Sequence, residues 1–246
     1  AAFVCRVEHR RVRGHGEWEY LVVSRVTGGL EELLTVYATP DEPKPAEIAC
    51  TAEMRNPRVV WLQGYRVALV RAPRDTCGHP IEAAERAYGA LALEPVREVR
   101  LRQVRSQLSL DTGCHDRSQA GESRPDPAHF SQGRTARHPE QIEDGAPSCR
   151  FEVPDDEAAL EFPTGTLRAG GKLAGAEVDR LNAALREAPV DPRCASAARP
   201  RDFLILDARR SAVVLTPDGC VSQEDGAWRA DADLYAEISA ALSGDR

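Results

Sequence analysis

Cys5-Arg6-Val7-Glu8, near the start of the chain, is echoed by Cys149-Arg150-Phe151-Glu152. The 144-residue offset between those two cysteines recurs between Cys50 and Cys194, and Cys77 and Cys220 lie 143 residues apart. Three cysteines at a nearly constant offset, with matching flanks, describe one domain written twice. The length agrees, since 246 residues accommodate two domains of about 100–150 residues. Duplication also argues against an active site built once from the whole chain.

Working outward from Cys5, alternation over Phe3 to Glu8 predicts a strand, and Trp18 to Val26 a second one. Gly28-Gly29 punctuates the chain. Leu30, Leu33, Leu34 and Tyr37 then recur at helical spacing until Pro40, Pro43 and Pro45. After Cys50, Val59 to Leu62 and Tyr65 to Val70 flank Gly64 as a hairpin. Cys77 follows, and Ile81, Ala84, Tyr88 and Leu91 form a second helical stripe.

The second copy repeats this order. Cys149-Arg150-Phe151 opens a strand, Leu160 to Leu167 is weakly extended, and Val178, Leu181 and Leu185 mark a helix ending near Pro189. Phe203 to Leu206 and Ala212 to Leu215 form a hairpin around Arg209-Arg210, Cys220 closes the unit, and Leu234, Ile238 and Leu242 mark the last helix. The expected fold is α+β: a tandem duplication of a two-layer β-β-α-β-β-α domain, with a small antiparallel sheet and both helices on one face.

The expected domains are residues 1–114 and 149–246, joined by a polar linker over 115–148. Phe130 and Ile142 are the only large apolar side chains of that linker, too little to offset chain ordering. Just before it, Val96 to Leu110 carries Arg97, Arg100, Arg102 and Arg105, which read as the solvated face of a terminal helix or strand rather than a basic binding strip.

Composition sets the class. The apolar fraction of 42% suffices for packed cores, and no stretch approaches the ~20 apolar residues of a membrane span. A net charge of −7 argues against a nucleic-acid-binding surface. Seven cysteines beside one methionine point to an oxidising compartment. The start at Ala1-Ala2, without an initiator Met, fits the mature form of an exported protein. Ala2-Phe3-Val4 does not read as an acylation box for Cys5.

Cys50 and Cys77 bracket the first hairpin, and Cys194 and Cys220 the second, so each pair emerges at the open end of its hairpin. Disulfides Cys50–Cys77 and Cys194–Cys220 are predicted, each closing a loop worth about 3 kcal/mol by chain entropy. Cys5, Cys114 and Cys149 remain. Cys114–Cys149 would staple the linker ends, Cys5–Cys114 would tie the first domain's entry to its exit, and Cys5–Cys149 would join the copies. One thiol is left over in every case. It is either buried and inert or a link between two chains.

A Cys-Arg-x-Glu strand, a helix with Leu181-Asn182-Ala183-Ala184-Leu185, Cys194, a hairpin, Pro217-Asp218-Gly219-Cys220 and a final helix make the second copy similar to many uncharacterised exported proteins of actinobacteria. The first copy departs at Arg74-Asp75-Thr76-Cys77-Gly78. The resemblance implies export and brings no activity, cofactor or functional residues.

Short motifs point to structure rather than chemistry. Asp111-Thr112-Gly113 matches the aspartic-protease tripeptide, but that mechanism needs two carboxylates sharing a proton, and the second copy ends before an equivalent. Cys77-Gly78-His79 and Cys114-His115-Asp116 lack the paired Cys-x₂₋₄-Cys spacing of a closed zinc site. Gly-x-Ser-x-Gly, Gly-x₄-Gly-Lys-Ser/Thr and His-Glu-x-x-His are absent. Glu31-Glu32 and Asp155-Asp156-Glu157 are adjacent carboxylates that point apart. His9, His15, His129 and His138 fall in polar segments read as solvated loops, and Trp61 with Tyr65 reads as packing or as a recognition patch.

The expected function is an exported, non-enzymatic tandem-domain protein. It would bind a protein partner or envelope component, with no nucleic acid, no cofactor and no metal, and with oligomerisation open through the odd cysteine. The alternatives are a secreted hydrolase with a site between the repeats, and a secreted protease inhibitor presenting Arg71 to Cys77 or the linker arginines.

Overall fold

The computed structural model describes residues 1–43, 50, 58–119, 138–158, 160, 163–195, 200–208, 211–224 and 226–243. The turn at Arg209-Arg210, His129 and Phe130 lie outside the described residues. The chain is a mixed α+β protein with two antiparallel sheets and three disulfides. It forms two compact units, Ala1–Arg11 with Trp18–Val104, and Val12–Glu17 with Arg105–Arg246.

The elements of the first sheet are β1 (Ala2–Val12), β2 (Gly16–Gly28), α1 (Leu30–Tyr37), β3 (Val59–Gln63), β4 (Val67–Arg71), α2 (Glu82–Gly89) and β5 (Ala92–Arg105), with strand order β4-β3-β1-β2-β5. Period-two alternation sorts β1. Ala2 and Val4 are buried with Val60 of β3 against Leu33 and Tyr37 of α1 and Ala84, Ala87 and Tyr88 of α2. Phe3 and Cys5 therefore face away from the helices. Gly29, at φ 79°, turns the chain from β2 into α1, a left-handed backbone that a side chain would resist. Glu31 and Glu32 in the first turn oppose the helix dipole.

The second unit contains α3 (Gln107–Thr112), β6 (Arg117–Gln119), β7 (Pro147–Glu152), β8 (Thr164–Lys172), α4 (Ala176–Glu187), α5 (Pro192–Ala195), β9 (Asp202–Asp207), β10 (Ala212–Leu215), β11 (Cys220–Gln223), β12 (Gly226–Arg229) and α6 (Ala232–Ser243). Its seven-stranded sheet runs β12-β11-β10-β9-β7-β8-β6. One face packs Leu204, Leu206, Val213 and Leu215 beneath Leu181 and Leu185 of α4 and Leu234 and Ile238 of α6, with Trp228 fully buried. The other face packs Cys149, Phe151, Phe203 and Val214 with Cys114. The rings of Phe151 and Phe203 stack there with centroids 5.3 Å apart.

Within the two sheets, β4-β3-β1-β2 and β10-β9-β7-β8 have the same order, with α1 after β2, α4 and the short α5 after β8, and a helix after the hairpins in each. The six-element β-β-α-β-β-α description is too small for either. Each sheet carries an added edge, β5 beside β2 and β6 beside β8. Cys220 does not close the unit but opens a further hairpin, β11–β12. The stretch expected to be extended over Leu160 to Leu167 forms its strand later, at Thr164–Lys172. His9 lies within β1 rather than a loop.

The sequence-based boundary at residue 114 also moves. Helix α3 and Cys114 belong to the second unit, where the disulfide Cys114–Cys149 spans a Cα separation of 5.9 Å. Both ends of the 115–148 stretch are packed rather than linker. Arg117–Gln119 pairs with β8. Ile142 is buried because Asn182 of α4 accepts from its N–H at 2.8 Å and donates to its C=O at 2.9 Å. Gln223 is buried too, accepting from Glu140 N–H at 3.0 Å and donating to Ser211 Oγ at 2.7 Å. Residues 120–137 of that stretch lie outside the described residues.

Candidate interaction surface

The cysteines sort by position. Cys50–Cys77 and Cys194–Cys220 have Cα separations of 5.5 and 5.2 Å, and Cys114–Cys149 takes the third pairing, leaving Cys5 free and exposed. Three disulfides suit an oxidising compartment. Among the described residues no helix is long and apolar enough to cross a membrane.

The arginine of the repeated motif is a clamp. In the first unit the Arg6 guanidinium lies 5.4 Å from the ring centroid of Tyr88 on α2. In the second, Arg150 Nη2 donates to Asp202 at 2.6 Å, and the Tyr235 hydroxyl of α6 donates to the same carboxylate at 2.5 Å. Each joins the strand that carries the Cys-Arg motif to a tyrosine of the helix that follows the hairpins. Both act on the helix-covered face and so serve packing.

The opposite faces of the two sheets differ. In the second unit Cys149 and Phe151 lie beneath Cys114, and Cys149 stands opposite Ile205 in the register. A cavity of about 270 Å³ opens beside the disulfide, lined by Gly113, Phe151 and Ile205, with the exposed His115 and Asp207. In the first unit the face that carries Cys5 has no such cover among the described residues. The register places Phe3 opposite Trp61, Trp61 opposite Leu69 and Gln63 opposite Val67. Directly opposed residues share a face, and so do Cys5 and Val7, two and four residues beyond Phe3. Trp61 is 41% exposed, Leu69 53%, Val67 65%, Val7 53%, and Tyr65 at the hairpin tip fully so. Alternation in β2 adds Leu21 and Val23, half-buried on the side of the strand opposite the buried Val22 and Ser24. The result is a contiguous apolar sheet surface centred on a thiol.

The remaining sequence candidates are engaged in structure. Asp111 accepts from Gln107 Nε2 at 2.6 Å within α3, and Gly113, at φ 80°, caps that helix. Asp75 Oδ1 accepts from the N–H groups of Cys77 and His79 at 2.9 and 2.8 Å, an Asx turn that shapes the Cys-Gly-His segment. Asp116 accepts from Ser106 N–H at 2.8 Å. Asp155 pairs with Arg201 at 2.7 Å and Glu157 with Arg117. Of the arginine strip, Arg100 lies 4.1 Å from the Trp18 ring centroid, Arg102 pairs with Glu19 at 2.6 Å, and Arg105 bonds Ser109. In the candidate inhibitory segment, Arg71 is bound by Asp41 at 2.7 Å. That ion pair, with the Arg74 N–H, holds the Asp41 carboxyl below its ordinary value. The described residues contain no group of three or more His, Cys, Asp or Glu able to hold a metal ion.

Sequence reasoning singled out Trp61 and Tyr65 but missed Val67, Leu69 and Val7, because apolar alternation on a hairpin does not tell which of its two faces the helices cover. Compared with protein-family models, curated proteins and solved structures, the chain matches none.

Proposed function

We propose that the protein is an exported, non-enzymatic subunit of an extracellular or envelope assembly, and that the uncovered face of the β4-β3-β1-β2-β5 sheet is its contact surface. The observation that carries this reading is the exposure of Trp61, Val67, Leu69 and Val7 on one face, with Tyr65 exposed at the adjoining hairpin tip. A contiguous exposed apolar patch on a folded domain marks an interaction site more often than chance placement. Aromatic residues such as Trp61 and Tyr65 are the residue types that anchor interfaces. Export is supported by the three disulfides, which suit an oxidising compartment.

The same reading treats the chain as a tandem duplication of one α+β domain. It is supported by the common strand order and by the Arg6–Tyr88 and Arg150–Asp202–Tyr235 clamps at corresponding places. The copies have since diverged in what covers the second sheet face.

The test is a pull-down from native culture supernatant without reductant, using tagged wild type and a Trp61→Glu/Leu69→Glu variant of unchanged circular dichroism. Wild type should retain partners, including untagged chain, that the variant loses. Identical capture by the two proteins would remove the proposed surface.

A further inference from the structure

We infer that the occupant of the first unit's uncovered face is a second copy of the same chain, docked about a two-fold axis that brings Cys5 against its counterpart. This rests on the reading of that face as a contact surface and names its partner.

Corresponding positions in the two sheets supply the first argument. Cys149 lies on β7 between β9 and β8, as Cys5 lies on β1 between β3 and β2, each on the face away from the helices. In the second unit that face is closed by a cysteine-bearing segment, with Cys114 bonded to Cys149 above Phe151 and Phe203. In the first unit both parts of the closure are missing among the described residues, since Cys5 is free and the surrounding side chains are exposed. The face is therefore complementary to an apolar surface that carries a thiol. Within this chain the other six cysteines pair with one another, so Cys5 of another copy is the only thiol that further copies offer.

Area and geometry supply the second. From their fractional exposures, Val7, Trp61, Val67 and Leu69 present on the order of 400 Å², within the range of the largest patch on a typical monomer. With the half-buried Phe3, Leu21 and Val23, this comes to roughly 500 Å² per partner, at the ~1,000 Å² total that a specific interface must clear. An interface that buries one patch against itself needs a two-fold axis. Two sheet faces stack about 10 Å apart, a spacing that a disulfide bridges in immunoglobulin-type sandwiches. Bond formation breaks two S–H bonds and makes one S–S bond. The two electrons and two protons pass to a small-molecule disulfide, which leaves as two thiols.

Light scattering after size exclusion, with and without dithiothreitol, tests the assembly. Non-reducing electrophoresis after exposure to oxidised glutathione tests the bond. The full chain should have twice its 26.9 kDa mass in both buffers and run as a covalent dimer when oxidised, with a Cys5–Cys5 linked peptide on mapping. Cys5→Ser should keep the dimer and lose the covalent band. Leu69→Glu should raise the dimer dissociation constant by about 10-fold or more, because it places an unpaired charge in an apolar contact. A wild-type monomer at about 100 μM with one titratable thiol per chain would overturn the inference. So would a dimer indifferent to both Leu69→Glu and Trp61→Glu. A monomer that still captures a different supernatant protein through Trp61 and Leu69 would overturn the self-partner while leaving the contact surface standing.

Discussion

Removing the Cys114–Cys149 bond by Cys114→Ala/Cys149→Ala separates the closure of the second sheet face from the sheet itself. The bond joins residues 35 apart in sequence, for which the chain-entropy relation gives about 4 kcal/mol. Both sulfurs are buried, at 1% and 6% exposure, and alanine keeps that environment apolar, so the loss is dominated by the freed unfolded chain. With a urea slope of ~2 kcal/mol per M, the midpoint should fall by about 2 M. Trp228, fully buried against the α4–α6 side, reports on this unit alone in a Trp18→Phe/Trp61→Phe background. Fluorescence unfolding of the oxidised proteins is the assay. A midpoint shift under about 0.5 M at unchanged slope would refute the assignment of Cys114–Cys149 as the staple of that face.

Two further outcomes follow from close contacts and charge. A Cβ on Gly165 would stand 2.7 Å from both Phe151 Cβ and Phe203 Cε1, whereas at Gly171 the nearest neighbour is Leu242 at 3.6 Å. Gly165→Ala should therefore lower the second unit's stability by about 2 kcal/mol, as overpacking of a filled core does, while Gly171→Ala changes it little, both measured by urea unfolding. Hydrogen bonds from Arg193, then Arg229, hold the buried Asp191 carboxyl well below the usual carboxylate range. A depressed folded-state value means that its contribution is full above the unfolded pKa of about 4 and is lost as pH falls below it. Asp191→Asn should be less stable than wild type at pH 7, with the difference shrinking as acid unfolding is followed below about pH 4.

Much of the architecture is legible because its signals are local. Leu33 and Tyr37, or Leu181 and Leu185, bury at helical spacing and mark α1 and α4. The apolar runs of β3–β4 and β9–β10 mark hairpins, and cysteines bracketing a hairpin meet at its open end. The hairpin β11–β12 is hidden because its buried positions include the polar Ser222 and Gln223, and the Gln223 side chain is satisfied by tertiary hydrogen bonds with Glu140 and Ser211. The packed ends of the 115–148 stretch are hidden for a related reason. Ile142 looks isolated among polar residues until Asn182, 40 positions away, pairs with its backbone. The third disulfide needed the sheet register, which no spacing encodes. The exposed apolar face was half legible: Trp61 and Tyr65 stand out as aromatics, but the exposure of Trp61 depends on which face α1 and α2 occupy.

Among the described residues one sheet face is closed in the second unit and open in the first. Oxidative footprinting of the Leu69→Glu variant, a monomer on this account, reads this difference side chain by side chain. Trp61, Tyr65 and Val67 should label strongly, while Phe151 and Phe203 stay protected in the same molecules. Protection of Trp61 and Val67 in the monomer, or ready labelling of Phe151 and Phe203, would contradict the account.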